Sequence, residues 1–202
     1  MRAVSAVVAA VTLGLMGCSA AAPAAGPKAP RGAADVRVFE SDADHVTEGE
    51  TVLEVEPDVA YALLLDYRNW PDIFPDIHQA IVTARNGDDA RVTFISAVDH
   101  HDNLHFHNRP ATRTIWFEDT GGRAVVWAET TFEPGPRAGT TRVRSRLYAD
   151  VHGMLSLVVT DANLREQRQT KVTGDLNSLR AYFTRDVARA GGGPMRTAST
   201  LR

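Results

Sequence analysis

The chain contains a single cysteine, Cys18, among its 202 residues. This scarcity excludes an internal disulfide and a zinc site built from several thiolates. It also excludes a cysteine nucleophile from any domain that begins after residue 18. Beyond residue 17, no apolar run approaches the roughly 20 residues that a membrane-spanning helix needs. Because the chain cannot form an internal disulfide, its folded part must be held together by its apolar core.

Neither the charge nor the motifs point to a particular reaction. The net charge is −3, which gives no general reason to expect a nucleic acid as a partner. The chain has no Gly-x-Ser-x-Gly, no His-Glu-x-x-His and no phosphate-binding glycine loop. His78 and His152 are candidates for acid–base chemistry only because they lie near strand ends. We therefore assign no catalytic residue and no cofactor, and we expect a non-enzyme rather than an enzyme.

The N-terminal segment has the pattern of an export signal. Residues 1–17 carry one charge, followed by apolar and small residues, and end in Leu-Met-Gly before Cys18. This ending resembles the lipobox of bacterial lipoproteins, in which the cysteine is acylated and becomes the first residue of the mature chain. The resemblance implies a membrane anchor at Cys18 and a place in the cell envelope, at the outer membrane or periplasmic face. The alternative is a plain signal peptide or a membrane-anchored N-terminus.

The next segment is predicted to be a tether. Residues 18–34 are rich in alanine, proline and glycine and show no apolar periodicity. Such a stretch cannot bury enough surface to offset the entropy lost on ordering, and its prolines favour extended backbone. We place the folded domain at 35–190 and a flexible tail at 191–202.

Apolar periodicity predicts an α+β domain. Residues 51–56 alternate as in a half-buried strand. Pro57 suits the first turn of a helix, on which we place an apolar side at Val59, Ala62 and Leu63, widened by Leu64 and Leu65. The proline-rich residues 70–77 suggest a second short helix or turn. Six further strands are expected at 78–84, 91–98, 103–108, 112–118, 123–132 and 140–151.

The last element is predicted to be a long helix with one apolar stripe. Arg168 interrupts this stripe. We expect its stem to pack at an overhanging helix start while its charged head stays in water. The alternative is a cationic handle at a cavity mouth, for an acidic group of a ligand. The apolar members of the stripe are Leu164, Val172, Leu176, Leu179 and Phe183.

Two segments resemble the START-like, Bet v 1-like helix-grip superfamily, which includes polyketide cyclases, aromatases and ubiquinone-binding domains. They are EVEPDVAYALLLDYRNWPDIFPDI at 54–77 and GTTRVRSRLYADVHG at 139–153, the second leading into the long helix. The resemblance covers roughly residues 48–186. It implies a curved antiparallel sheet of about seven strands wrapped around the C-terminal helix, with two short helices after the first strand. It also implies a cavity for an apolar molecule.

Strand alternation indicates which side chains would line such a cavity. Arg142, Arg144 and Arg146 belong on the solvent face because charged side chains are rarely buried unpaired. A surface for lipid headgroups is the alternative use of that face. The predicted ligand-binding residues are Phe94, Ser96, Leu104, Phe106, Ile115, Phe117, Ser145, Leu147, Leu164, Arg168 and Val172.

These observations favour a membrane-anchored lipoprotein whose domain binds or carries an apolar small molecule such as a lipid, a quinone or a polyketide. One alternative is a cyclase or aromatase that acts in the same cavity. Another is an envelope interaction module with a filled core. Export favours the binding protein, because biosynthetic cyclases would be expected beside their cytoplasmic synthases. The residues specify neither the ligand nor the oligomeric state.

Four of the seven histidines lie within eight residues: His100, His101, His105 and His107. If Leu104 and Phe106 face inward, His105 and His107 face solvent, about 6.5 Å apart along the strand. We favour solvated strand and loop positions. The alternatives are the rim of a ligand entrance and a metal site. A tight zinc site usually needs three or four ligands. The third would have to come from the turn, at His101 or Asp102, so we assign no metal.

Anchoring through Cys18 predicts that Cys18→Ala moves the protein from the detergent phase to the aqueous phase of a Triton X-114 partition. The reason is that acyl chains stabilise membrane insertion by about 0.8 kcal/mol per buried methylene. A wild-type protein that already partitions into the aqueous phase would contradict the lipoprotein interpretation.

Overall fold

The computed structural model describes residues 36–119, 124–151 and 159–190, with side chains to residue 185. The predicted signal segment, Cys18, the tether, His152 and the tail at 191–202 lie outside the described residues. No helix in the part of the chain that is described is long and apolar enough to cross a membrane.

One antiparallel sheet of eight strands packs against one long helix. The sheet order is β1-β2-β8-β7-β6-β5-β4-β3, so β1 and β3 form its two edges. The strands are β1 (Arg37–Glu40), β2 (Val46–Leu53), β3 (Ile77–Asn86), β4 (Asp89–Ser96), β5 (His101–Arg109), β6 (Thr114–Asp119), β7 (Ala124–Pro134) and β8 (Thr141–Val151). The helices are α1 (Pro57–Leu65), α2 (Trp70–Ile73) and α3 (Asp161–Ala190).

This architecture confirms the predicted α+β class, the long C-terminal helix and the two short helices. The sheet has one strand more than expected, because β1 was not predicted. Strand β2 also begins at Val46 rather than at residue 51. Its inward positions include Thr47, Gly49 and Thr51, all buried. These side chains are small or polar, so apolar alternation does not reveal the strand.

The buried side of α1 differs in part from the predicted one. Leu64 is buried as predicted, but Val59 is 55% exposed, and Ala60 and Tyr61 are buried instead. The Tyr61 ring lies 6.1 Å from that of Phe132 on β7. Tyr61 and Leu64 bury more apolar surface than Val59 would, and this decides which side of the helix meets the sheet.

An aromatic cluster attaches α1 and α2 to the sheet. The Trp70 ring stacks on Phe94 at 4.9 Å, and the Tyr67 ring lies 4.4 Å from Phe106. The Trp70 indole donates to the Leu64 carbonyl at 3.0 Å, and the Tyr67 hydroxyl donates to Asn108 Oδ1 at 3.0 Å. Both buried polar atoms are thus satisfied, and packing can stabilise the cluster. We call it the aromatic core: Tyr67, Trp70, Phe74, Phe94, Phe106 and Phe117.

Helix α3 approaches the sheet most closely at Gly49 on β2. A Cβ atom placed there would lie 2.5 Å from Val172 Cγ1 and 2.8 Å from Leu176 Cδ1. Both distances are shorter than van der Waals contact, so any larger residue would push the helix away. Gly49 therefore sets the height of α3 above β2.

Arg168 is buried, which corrects the expectation that its head lies in water. Only 3% of it is exposed. The guanidinium donates to Thr47 Oγ1 at 3.3 Å, to the Ala149 carbonyl at 3.1 Å and to Glu40 Oε2 at 3.4 Å. Helix α3 begins two turns before Arg168, so this residue lies over the sheet. Glu40, on the unpredicted strand β1, supplies the carboxylate that pairs with its guanidinium.

The arginines of β8 lie on the outer face of the sheet, as predicted. Arg146 pairs with Glu48 at 3.2 Å, and Arg144 lies 3.8 Å from Glu133. These partly exposed pairs contribute little stability. With the arginines on the outer face, alternation along β8 places Val143, Ser145 and Leu147 on the inner face.

The contact at Gly49 predicts that Gly49→Val destabilises the protein by about 1–3 kcal/mol, because the added methyl groups overpack the helix contact. Thermal melting should fall by roughly 2–4 °C for each kcal/mol. Glu50→Ala is the matched control. It removes an outward side chain from the next residue and should cost about 0.5 kcal/mol or less. Equal melting temperatures for wild type and Gly49→Val would contradict the close approach.

Candidate functional site

The predicted ligand-binding residues divide into two groups. Of those on strands, four are buried: Phe94, Phe106, Ile115 and Leu147. Four others are only partly buried: Ser96, Leu104, Phe117 and Ser145. The three helix residues Leu164, Arg168 and Val172 are buried.

Several of the buried residues contact other protein atoms closely. Phe94 and Phe106 belong to the aromatic core, with ring centroids 6.0 Å apart. Val172 packs on β2 at Gly49. Ser96 accepts from the backbone N–H of His100 at 3.2 Å and so holds the turn between β4 and β5. Their direct contact with a ligand stays a prediction.

The partly buried residues mark an opening on the inner face of the sheet. Phe117 pairs with Ala128 across β6 and β7, and Ser145 pairs with Thr130 across β7 and β8. These strands lie in the middle of the sheet, so partial exposure of their inward side chains indicates that α3 does not seal the concave face. We call this region the inner opening: Leu104, Phe117, Val126, Thr130 and Ser145.

The apolar interior is also divided near Arg168. Leu164 packs with Val151 in a small cluster that is separate from the main core. Val172, one turn beyond Arg168, belongs to the main core. The Arg168 guanidinium thus lies between the two clusters. Its polar atoms are engaged by protein groups, which favours a structural role over a handle for ligand.

A group of charged residues lies on the flank of α3. Lys171 Nζ donates to Asp175 Oδ1 at 2.7 Å and to Asp76 Oδ2 at 2.8 Å. Asp76 lies just before β3, so this cation joins the helix to the start of that strand. Burial alone would lower the pKa of Lys171, but the Asp175 and Asp76 carboxylates outweigh it and raise that pKa above its ordinary value. Lys171 is therefore a permanent cation.

Asp102 and His100 extend this group across to β5. His100 Nε2 lies 3.1 Å from Asp102 Oδ1. Burial raises the pKa of the Asp102 carboxyl; His100 and Lys171 oppose the rise and Asp119 adds to it. The charge of Lys171 on the helix therefore acts on the Asp102 carboxyl of β5. We call this set the charged rim: Asp76, His100, Asp102, Lys171 and Asp175.

The charged rim was not recognised as a unit from the sequence. Lys171 and Asp175 stand four residues apart on the helix, which is the spacing at which side chains meet. That spacing is a usable signal. Asp76 and Asp102 come from a loop and from another strand, so only the fold brings them to Lys171.

The four clustered histidines separate into two pairs. His100 and His101 lie beside Asp102 and Asp99 at the start of β5. His105 and His107 lie on the outer face, as predicted, with ring centroids 4.2 Å apart. The charged rim therefore includes His100 but not the outward pair.

No family model and no curated protein matches the chain. Solved structures do match it in fold. A START superfamily protein from Mycobacterium smegmatis aligns with a TM-score of 0.57 at 14% identity, over 70% of this chain and 98% of that one. The Zhui aromatase/cyclase from Streptomyces sp. R1128 aligns with a TM-score of 0.58 at 18% identity, over 78% and 99%.

A STAR-related lipid transfer protein from Xanthomonas axonopodis aligns with a TM-score of 0.54 at 14% identity, over 74% of this chain and 92% of that one. At such low identity these alignments establish the fold alone. Together with the sheet order and the long C-terminal helix, they show that this chain has the START-like, helix-grip fold.

Proposed function

We propose that the domain binds an apolar small molecule on the concave face of its sheet, between α3 and the strands β5 to β8. The observation that carries this proposal is the inner opening. Leu104, Phe117 and Val126 are apolar inward side chains that stay partly exposed in the middle of the sheet. Burying them under a ligand would contribute about 25 cal/mol for each Å² removed from water.

The charged rim would orient such a ligand. Burial raises the pKa of both the Asp175 and the Asp102 carboxyls. Asp175 is bonded directly to Lys171, whereas Asp102 is paired with His100, so Asp102 is the rim carboxyl that we assign to the ligand. A protonated Asp102 can donate a hydrogen bond to a carbonyl or hydroxyl oxygen. The ligand that fits best is therefore a largely apolar molecule with one oxygen-bearing end.

The comparisons support this class of ligand without naming one. Solved proteins of the same fold include one titled a lipid transfer protein and one titled an aromatase/cyclase. A lipid, a quinone or a polyketide-like molecule has the chemistry that the inner opening favours. Because the described rim groups are paired with one another, we propose binding or carriage of the molecule rather than catalysis.

We further propose that the chain is an exported lipoprotein of the cell envelope. The support is the signal-like segment at 1–17 and the lipobox-like ending before Cys18. The segment from 18 to 34 would hold the domain at a distance from the membrane surface. An anchored binding domain is suited to ligands that partition into membranes.

Filling the inner opening should abolish binding without unfolding the protein. Ser145→Phe is expected to reduce the affinity for the neutral apolar dye Nile red by about tenfold or more, with the melting temperature nearly kept. Val143→Phe is the matched control, because Val143 lies two residues away on the same face and is fully buried. That change should overpack the core and cost about 1–3 kcal/mol.

Dye fluorescence and thermal melting of the full-length variants measure both effects. Comparing variants in the same chain cancels any dye bound by the N-terminal apolar segment. Two results would contradict the proposal: equal dye affinity in wild type and Ser145→Phe, or a loss of stability in Ser145→Phe as large as in Val143→Phe.

Binding should also strengthen as the pH falls. Burial already raises the pKa of Asp102, and an apolar ligand placed over it would raise that pKa further. Protonation and binding then favour each other, so affinity rises as pH falls through the pKa of Asp102. A ligand that raised this pKa by one further unit would bind about tenfold more tightly to the protonated protein.

A dye titration between about pH 7 and about pH 4.5 tests this linkage. Asp102→Asn should bind with an affinity that varies less with pH than in wild type. Asp99→Asn is the control, because the Asp99 side chain is 90% exposed and its Oδ1 lies 3.2 Å from His101 Nε2, outside the charged rim. An unchanged pH profile in Asp102→Asn would exclude Asp102 from the binding site.

A further inference from the structure

The outer face of the sheet brings together three side chains with the chemistry of metal ligands. Asp89 on β4 and His105 and His107 on β5 each offer one ligand atom, and these atoms all lie within 4.8 Å of one another. We propose that they form a site for a divalent transition metal, with Glu118 on β6 as a fourth ligand. This site is separate from the inner opening, because its residues point to the opposite face of the sheet.

The two imidazoles are closer than their positions on the strand require. Residues i and i+2 of a strand are about 6.6 Å apart along it. The His105 and His107 ring centroids lie only 4.2 Å apart, with the ring planes tilted by 50°. Both rings therefore lean toward a common point. Their side chains are 25% and 35% exposed, so this point is reached from solvent but is partly sheltered.

Strand register supplies a carboxylate on each side of the imidazoles. Asp89 stands directly opposite His107, and its Oδ1 lies 2.7 Å from His107 Nδ1. Glu118 stands directly opposite His105, and its Oε1 lies 3.9 Å from His105 Nδ1. The ladder hydrogen bonds of three strands fix the backbone at these positions, so Asp89, His105 and His107 already stand together, and the Glu118 side chain must move to complete the set.

Metal binding requires a modest contraction and the breaking of one hydrogen bond. Zinc binds imidazole and carboxylate at about 2.0–2.2 Å, so tetrahedral ligand atoms lie roughly 3.3 Å apart. The hydrogen bond between His107 Nδ1 and Asp89 Oδ1 must break when both atoms become ligands, and the ring then carries its proton on Nε2. Arg91, opposite His105, is the nearby cation that opposes binding. It is exposed, and its long stem lets it turn into water.

The ligand set selects the class of metal. Two imidazoles and carboxylates without thiolate suit Zn²⁺, Cu²⁺ and Ni²⁺, whereas an oxygen-only set would suit Ca²⁺ or Mg²⁺. Partial exposure leaves room for water or another ligand on the ion. The sequence alone did not reveal this site, because the third ligand was sought in the turn at His101 or Asp102. The structure brings Asp89 instead, from the preceding strand.

The test is calorimetric titration of Zn²⁺ into the chelator-treated full chain, made without a polyhistidine tag and carrying Cys18→Ser so that the thiol cannot compete. We expect one bound equivalent. His105→Ala, His107→Ala and Asp89→Asn should each weaken binding by about tenfold or more. His101→Ala is the matched control, since it removes an exposed imidazole from the same strand and should leave the affinity unchanged.

Trp116 provides an independent reporter that needs no ligand substitution. Its ring lies 5.0 Å from that of His107. Cu²⁺ quenches tryptophan fluorescence at short range, so one equivalent of Cu²⁺ should quench the protein's fluorescence. In Trp116→Phe this quenching should weaken while one equivalent of Cu²⁺ still binds. Trp127 also lies near the site, because it stands directly opposite Glu118, so Trp116→Phe/Trp127→Phe should lose most of the quenching. The remaining tryptophan, Trp70, is buried in the aromatic core and reports binding elsewhere.

The outcomes separate cleanly. Absence of Zn²⁺ binding, or equal affinity in wild type, His105→Ala and His107→Ala, would overturn the proposal. Loss of binding in His101→Ala, or full quenching that persists in Trp116→Phe/Trp127→Phe, would place the ion at another site and overturn it as well. Thermal melting of each variant shows whether it is folded. If a ligand variant is not folded, the difference in Cu²⁺ quenching between wild type and Trp116→Phe/Trp127→Phe decides the question.

Discussion

The close contact between α3 and Gly49 is the constraint on which the rest of the molecule depends. It holds the helix against β2 at one side of the sheet, because no side chain separates Val172 and Leu176 from the strand. The sheet continues from β8 to β3 beyond this contact. On that side, inward residues such as Leu104 and Phe117 stay partly exposed. A tight contact at one edge and a partly open concave face are thus two results of one helix position.

Polar groups hold this position from both flanks of the helix. Toward β1, Arg168 is buried and bonded to Glu40, Thr47 and the Ala149 carbonyl. Toward β3, Lys171 is held by Asp76 and Asp175. Removing one partner from a buried ion pair costs far more stability than the intact pair contributes, so the Arg168 contacts fix a geometry. The Lys171 pairs are partly exposed, with side chains 20% to 34% exposed, and hold the helix less firmly. Charge and apolar packing thus both position the helix on the sheet.

Strand β5 serves two different surfaces because its side chains alternate. Leu104 and Phe106 point to the interior, beside the inner opening and the aromatic core, while His105 and His107 point outward beside Asp89. The same backbone hydrogen bonds position both sets. A ligand on the concave face and an ion on the convex face would each act on the same three strands, which provides a physical route for one to influence the other.

The sequence by itself determined the α+β class, the long C-terminal helix, most strands and the inward or outward direction of their residues, because periodicity of two or 3.6 residues is a local property. It did not reveal β1, whose four residues contribute little apolar pattern. It also misplaced part of the buried side of α1 and the head of Arg168. The tertiary structure decided these points, together with the charged rim and the pairing of Asp89 with His107. Each depends on residues far apart in the chain, and only strand register and helix height bring those residues together.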